Sequence, residues 1–426
     1  MNSSKGLKDL IIGASSDNVF IDIYKDNNMI SFQKERYVKA IDKFVSLYND
    51  GDLTLFSAPG RSEIMGNHTD HQHGEVLCAA INLDAIAVVK KTDDNIIKIV
   101  SGDYPEIVIN VNDTGIPSEG GSLALIAGIC QGFKDRGLKT GGFEAYITSN
   151  VAVGAGMSSS AAFETLIGTI LSHLYNDGKV SDTEIAIIGQ FAENVYFGKP
   201  CGLMDQMACS VGNLVHIDFR DGKNPGIEKI EYDLSDNGYS LCITDTKGSH
   251  ANLTDEYAAI PEEMKAVASY FGKDYLLDIK EEEILANAKT LREKTSDRAI
   301  LRAIHFIKEN ERVKCAALAL KKNDTDTFLE YIRESGNSSF EYLQNVYSVK
   351  DTSSQSLSLA LAISSCVLDK KKEAYRVHGG GFAGTIQAFV LNENVSKYKA
   401  AMESVYGADS CHVLKIRKYG GIKVFK

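Results

Sequence analysis

GFEAYITSNVAVGAGMSSSAAFETLIGTILSHLY, residues 142–175, decides how the fold is read. Residues 142–148 have strand character, and residues 160–175 repeat apolar side chains at helical spacing until Gly178 stops them. Between the two, Gly154, Ala155 and Gly156 keep the chain small where a backbone must approach a ligand. Met157 follows, and Ser158, Ser159 and Ser160 set three hydroxyls at the start of the helix. A helix N-terminus carries unpaired N–H groups and a partial positive charge, so this loop suits a triphosphate without needing a lysine. It lacks the Gly-Lys-Ser/Thr ending of a P-loop, and alone it reads equally as a tight turn capped by serine.

Working outward, residues 31–50 place Tyr37, Val38, Ile41, Phe44, Val45 and Tyr48 at helical spacing ahead of Gly51. Strands are predicted at 53–58 and 85–90, with 97–100 as their partner. Ser181 to Glu184 has capping-box spacing and heads a helix whose buried stripe is Ile185, Ile188, Ala192 and Val195. Strands at 216–219 and 241–245, a helix-rich stretch over 257–370 and a second Gly-rich turn at 379–384 leading into 385–391 complete the order. No internal repeat or low-complexity linker marks a boundary. The expected division is a helical extension (1–50), a first lobe (51–215) and a second lobe (216–426).

A chain of 426 residues is two to three times a usual domain of about 150, with 44% hydrophobic and 24% charged residues, which excludes a peptide hormone or a disordered segment. The formal charge of −11, from 57 acidic against 46 basic residues, repels phosphate backbones and argues against general nucleic-acid binding. No apolar stretch approaches the ~18 residues of a membrane span, and the start, MNSSKGLKDLIIG, has no basic segment leading into a long apolar one. A cytoplasmic monomer is expected. The eight cysteines form no C-x-x-C pair and are expected to be reduced core residues.

Two further segments carry chemistry. PGRSEIMGNHTDHQHG, residues 59–74, gathers Arg61, His68, Asp70 and His71 in a turn-rich segment after a strand end. Such a set could ligate a metal, but the fixed helical or knuckle spacing of zinc sites is absent, and recognition of a polyol is the favoured reading. GLMDQ, residues 202–206, sets Asp205 in apolar surroundings, where a carboxylate needs a cationic or hydroxyl partner unless it merely caps a helix.

Taken together these segments resemble the GHMP kinase superfamily and, within it, the galactokinases. Residues 59–74 resemble the family's sugar signature, VAVGAGMSSSAAFE its nucleotide loop, GKPCGLMDQ its catalytic-aspartate segment and HGGGFAG its third Gly-rich motif. Weaker similarity runs through SHANLTDEY and RAIHFIKEN. The resemblance implies a two-lobed α/β (α+β) fold with the active site in the cleft, transferring the ATP γ-phosphoryl group to a sugar's anomeric hydroxyl. It implies Asp205 as general base or aligning group beside Arg61. Asn67, His68, Asp70, His71, Gly202 and Tyr257 would read the sugar. Gly154, Ala155, Gly156, Met157, Ser158, Ser159, Ser160, Gly380 and Gly381 would hold the nucleotide, and Ser160 and Glu193 would hold Mg²⁺; Glu193 otherwise reads as a solvated helix face.

This chain departs from the family at several points. Gly-Asn-His-Thr-Asp-His, residues 66–71, stands where galactokinases carry Gly-Glu-His-Thr-Asp-Tyr. Asn67 therefore replaces an acid that contacts the sugar's C6 hydroxyl and no longer repels a negative group there, which makes galacturonate an alternative substrate. Ala152, His378, Ala383, Pro261 and Glu262 are further departures. A non-catalytic sugar sensor of the same family is the alternative from another class; Arg61, Asp205 and the three serines favour catalysis.

Overall fold

The computed structural model describes residues 3–152, 156–199, 201–222, 224–248 and 253–425. Gly154 and Ala155 lie outside the described residues. Strands β1 (Leu53–Met65), β2 (Glu75–Lys91), β3 (Ile96–Ser101), β4 (Ile107–Asn110), β5 (Phe143–Ser149), β6 (Leu214–Asp218) and β7 (Gly226–Ile230) belong to one large sheet. A second sheet holds β8 (Tyr239–Asp245), β9 (Ala374–His378), β10 (Thr385–Leu391) and β11 (Cys411–Leu414) in the order β11-β8-β10-β9. The last strand, β12 (Ile422–Lys423), returns to pair with β1, giving the first sheet the order β12-β1-β2-β5-β3-β4, with β6 added on β2 and β7 on β6.

Both faces of the large sheet are covered. Leu53, Leu55, Ile86 and Val88 meet helices α1 (Ser4–Ile12), α2 (Asp17–Tyr24) and α3 (Ile30–Tyr48). Phe56, Ala58, Ala85, Ala87 and Val89 face α4 (Gly121–Asp135), α5 (Ser159–Tyr175) and α6 (Asp182–Phe191). Alternate residues thus serve opposite cores, which is why these strands read as nearly continuous apolar runs. The N-terminal extension is one layer of this lobe.

After α7 (Met204–Val211) the chain enters the helix-rich half: α8 (Thr254–Tyr270), α9 (Glu281–Ala286), α10 (Ala288–Lys294), α11 (Asp297–Lys321), α12 (Thr325–Ser338), α13 (Ser356–Val367) and α14 (Val395–Tyr406). The second sheet is also buried twice: Leu241, Ile243 and Phe389 face α11 and α12, whereas Cys242, Ile386, Ala388 and Val390 face α13 and α14. Ile64, Met65, Leu77, Ala79 and Met157 join the first of these clusters, so the two lobes share a core beneath the cleft.

Several expectations are corrected. The first strand does not end at Ala58; it continues to Met65, with pairing shifts at Pro59/Arg61 and Glu63/Met65. Proline and glycine suggested a turn, but a bulge tolerates a residue without an N–H and re-aims the strand. Residues 96–101 pair with β4 and β5, not with β1 or β2. By sheet membership β6, β7 and β12 belong with the first lobe, so a cut at residue 215 does not follow the sheets. Ser181 caps α6 through the Glu184 N–H, whereas the Glu184 carboxylate lies 3.7 Å from Arg136. Val195 is 49% exposed, not buried, because residues 192–197 form a π-turn whose extra residue rotates the following side chains. Five cysteines are buried, but Cys201 and Cys315 are half-buried and Cys366 is exposed.

Candidate active site

The bulge at Pro59/Arg61 delivers Arg61 to the cleft. Its guanidinium forks onto Asp205, Nε to Oδ1 at 2.7 Å and NH2 to Oδ2 at 2.9 Å, and its NH1 donates to the Gly156 carbonyl. Asp205 stands in the first turn of α7, and its Oδ2 also accepts from the Ser158 hydroxyl. Ser158 occupies the N-cap position of α5 in a left-handed conformation and makes no side-chain cap. The serine-capped-turn reading of this loop is therefore corrected: the hydroxyl goes to the aspartate, which leaves the helix N-terminus uncapped. Asp205 likewise is no helix cap. Burial alone would raise the Asp205 carboxyl, but the Arg61 charge and fork, with Ser158, hold it below the ordinary carboxylate value.

The loop is docked against β1. Arg61 N–H donates to the Met157 carbonyl at 3.1 Å, and a Cβ at Gly60 would lie 2.8 Å from that oxygen. Gly156 faces Thr385 and His378. The His378 ring sits between Ser62 Oγ at 3.1 Å and Thr385 Oγ1 at 2.8 Å; burial, with Arg61 and Arg376 nearby, pushes its pKa down to about 3, so the ring is neutral.

Glu193 is buried, not solvated, because the π-turn carries it inward. It accepts from Gln206 Nε2 at 2.7 Å, Lys199 Nζ at 3.0 Å and Ser160 Oγ at 3.4 Å. Glu164, four residues after Ser160 and on the same face of α5, shares Gln206 Nε2 at 3.0 Å. Burial first, and then the Glu193 charge, push the Glu164 carboxyl up to about 8. Sequence reasoning missed Glu164, Lys199 and Gln206, although the i, i+4 spacing from Ser160 was available for the first. A Mg²⁺ ion fits this set: the donors are hard oxygens, and buried Glu164 Oε1 has no hydrogen-bond partner among the described residues. Among the described residues no three His, Cys, Asp or Glu side chains group as a metal cage.

The second half of the sugar signature, residues 66–74, is the loop between β1 and β2. His68 Nε2 lies 2.9 Å from the Gly380 carbonyl, and burial with His71 nearby pushes its pKa down to about 4. A Cβ at Gly202 would lie 2.7 Å from Asp70 Oδ2, so a side chain there would push the Asp70 carboxylate aside. Asp70, His71 and His73 face Gln190, Cys201, Gly202 and Leu203 across a cavity of about 320 Å³. Tyr257 donates to the Gly381 carbonyl at 2.7 Å, and its ring edge blocks any side chain at Gly380. Gly380 and Gly381 are thereby packed against the sugar signature rather than set apart with the nucleotide loop.

Asn67 differs from the expectation. It is fully buried: Nδ2 donates to Glu63 Oε1 at 3.0 Å and to the Gly379 carbonyl at 2.5 Å, and Oδ1 accepts from Asn345. Neither N–H of its amide is left to donate to a C6 group, because Glu63 and the third Gly-rich turn take both, and Asn345 donates to its oxygen.

This two-lobed architecture, with its uncapped helix beside a clamped aspartate, is that of the GHMP kinases: residues 124–213 match the GHMP kinases N terminal domain and residues 42–91 the galactokinase galactose-binding signature. A galactokinase of Glaesserella parasuis is 32% identical over 355 residues, 83% of this chain and 89% of that protein, and one of Clostridium tetani is 28% identical over 382 residues, 89% and 94%. The crystal structure of Lactococcus lactis galactokinase complexed with galactose superposes with a TM-score of 0.75 at 24% identity, covering 90% of this chain and 98% of that one. The chain belongs to the galactokinase family, and with it to the ATP-dependent sugar kinases.

Proposed function

We propose that the protein transfers the γ-phosphoryl group of ATP to the anomeric hydroxyl of galactose. The observation that carries this reading is Asp205 held at once by Arg61 of the sugar strand and Ser158 of the nucleotide loop, so that one carboxylate lies where the two substrates meet. Asp205 accepts from the attacking hydroxyl and aligns it. Its lowered pKa makes it a weak base, and a largely dissociative transition state asks for alignment more than for early deprotonation. Arg61 keeps Asp205 ionised and offers charge to the phosphoryl oxygens. The N–H groups at the head of α5, with the loop over 154–160, hold the triphosphate. Ser160 and Glu193 hold Mg²⁺, with Lys199 moving off the carboxylate; when bound, the ion neutralises charge on the phosphate oxygens.

Asp70, His68, His71, Gly202 and Tyr257 read the sugar. A carboxylate can accept from two vicinal hydroxyls, and an epimer that moves one leaves a buried acceptor unpaired, which is the source of selectivity. Asn67 gives galacturonate no donor, because both of its amide N–H groups are committed inside the protein, so the case for that sugar rests only on the missing acid. ADP release with MgATP against galactose, galacturonate, N-acetylgalactosamine, arabinose and glucose tests the reading: galactose should give the highest kcat/KM. Silence across the panel with sugar binding retained would instead support a sensor.

A further inference from the structure

The loop that reads the sugar is pinned from behind by one helix of the other half of the chain. At its entry, the Gly66 N–H donates to Glu309 Oε1 at 3.2 Å and the Asn67 carbonyl accepts from His305 Nε2 at 3.0 Å. At its exit, the Glu75 N–H donates to Asn310 Oδ1 at 2.7 Å. His305 and Glu309 are one turn apart on α11, and all three side chains are buried. They are themselves held: His305 Nδ1 lies 2.9 Å from Ser338 Oγ, and Glu309 accepts from Arg312 and Ser335. Between the pinned ends Gly74 packs so closely on α11 that a Cβ there would lie 2.8 Å from Phe306 Cε2.

Within the loop, Thr69 closes the turn onto Gly66 and Glu75. Those local bonds give the loop its shape but do not say where it stands relative to Asp205. The third Gly-rich turn holds Asn67 and His68, and Gln72 accepts from the Leu276 N–H; α11 adds the contacts to the loop backbone at both ends, and it also carries α8, the helix of Tyr257, through Arg302 and Arg298 on Glu263. None of the three pinning side chains lines the cavity beneath Asp70.

We propose that His305, Glu309 and Asn310 are positioning residues for sugar recognition: they fix the backbone of residues 66–75 so that Asp70 meets the sugar hydroxyls. The inference rests on the sugar-kinase reading above. A carboxylate displaced by about 1 Å loses hydrogen bonds whose geometry sets both affinity and discrimination, and such a displacement can cost up to about 10²-fold.

Asn310 is the position to test. It is uncharged, and it also borders a groove of about 640 Å³ on the outer side of α11, so a replacement side chain has room. Asn310→Leu removes the acceptor; Asn310→Asp keeps one at the same reach. The expected result is a sugar KM raised roughly tenfold or more in Asn310→Leu, with the KM for ATP within about twofold, faster amide hydrogen exchange over residues 66–75, and recovery in Asn310→Asp. His305→Leu against His305→Gln repeats the comparison at the other end. An unchanged sugar KM in folded leucine variants, or equal rises in both KM values, would overturn the proposal. The wild-type sugar KM, measured first, decides the kinase reading; the variant-to-wild-type ratio decides the positioning.

Discussion

Asp205 and Glu164 show how two carboxylates in one site take opposite protonation. Asp205 has a guanidinium across it and sits below its ordinary value, so it stays ionised throughout about pH 5 to 8. The kcat profile should therefore show no acid limb from this group in that range, and Asp205→Asn should lower kcat by about 10²–10⁴-fold with little change in the KM for ATP. Steady-state kinetics across pH check both. Glu164 is buried without a cation of its own and is raised to about 8. Because its folded value lies above its unfolded one, the stability it contributes is full below about pH 4.5 and is lost as pH rises through about 8. Glu164→Gln should accordingly gain melting temperature over the wild type on going from pH 5 to pH 8, by a few degrees, in Mg²⁺-free buffer. A constant difference would contradict the assignment. Asp205's need for a partner was legible in the sequence, since an apolar setting leaves a carboxylate few choices. The burial of Asn67 was not, because its partners Glu63, Gly379 and Asn345 are spread over more than 300 positions and only the fold brings them together.

At the scale of elements, periodicity located α3 and the start of α6, and the predicted helix over 160–175 is α5 to within one residue, whereas α1, α2, α4 and α14 were not read from it. It failed where an element carries one residue too many. The bulge at Pro59/Arg61 turns an apparent strand end into the middle of a 13-residue strand, and the π-turn over 192–197 buries Glu193 while exposing Val195. Both irregularities deliver a charged side chain to the cleft, and neither has a period to detect. Gly60 ties the strand to the nucleotide loop by close approach, so Gly60→Ala should push on the Met157 carbonyl and on Val151. A destabilisation of roughly 1–3 kcal/mol is expected, with a raised KM for ATP and a smaller effect on the sugar KM. Thermal melting and initial rates with each substrate varied would show it.

For the whole molecule, the N-terminal helices and the C-terminal return converge on one carboxylate. Asp84 is fully buried and bonded to Arg36 of α3 at 2.5 Å, to Arg417 at 3.0 Å and to the Tyr24 hydroxyl of α2 at 2.7 Å. This clasp gives residues 1–50 a structural task. Asp84→Ala would leave two buried guanidinium groups without it, and a loss of roughly 3–5 kcal/mol is expected, seen as a fall of about 3–6 °C in melting temperature. The two lobes were legible from motif order, but their boundary was not, since β12 rejoins the first sheet from the far end of the chain. That closure pairs β12 with β1, the strand that carries Arg61 to Asp205, and the proposed function is a single phosphoryl transfer at that carboxylate. Phosphorus NMR of the product formed from galactose and MgATP tests this most directly. The account expects one sugar phosphate whose phosphorus couples to the anomeric proton; a phosphate on the C6 oxygen, or ADP formed without any sugar phosphate, would contradict it.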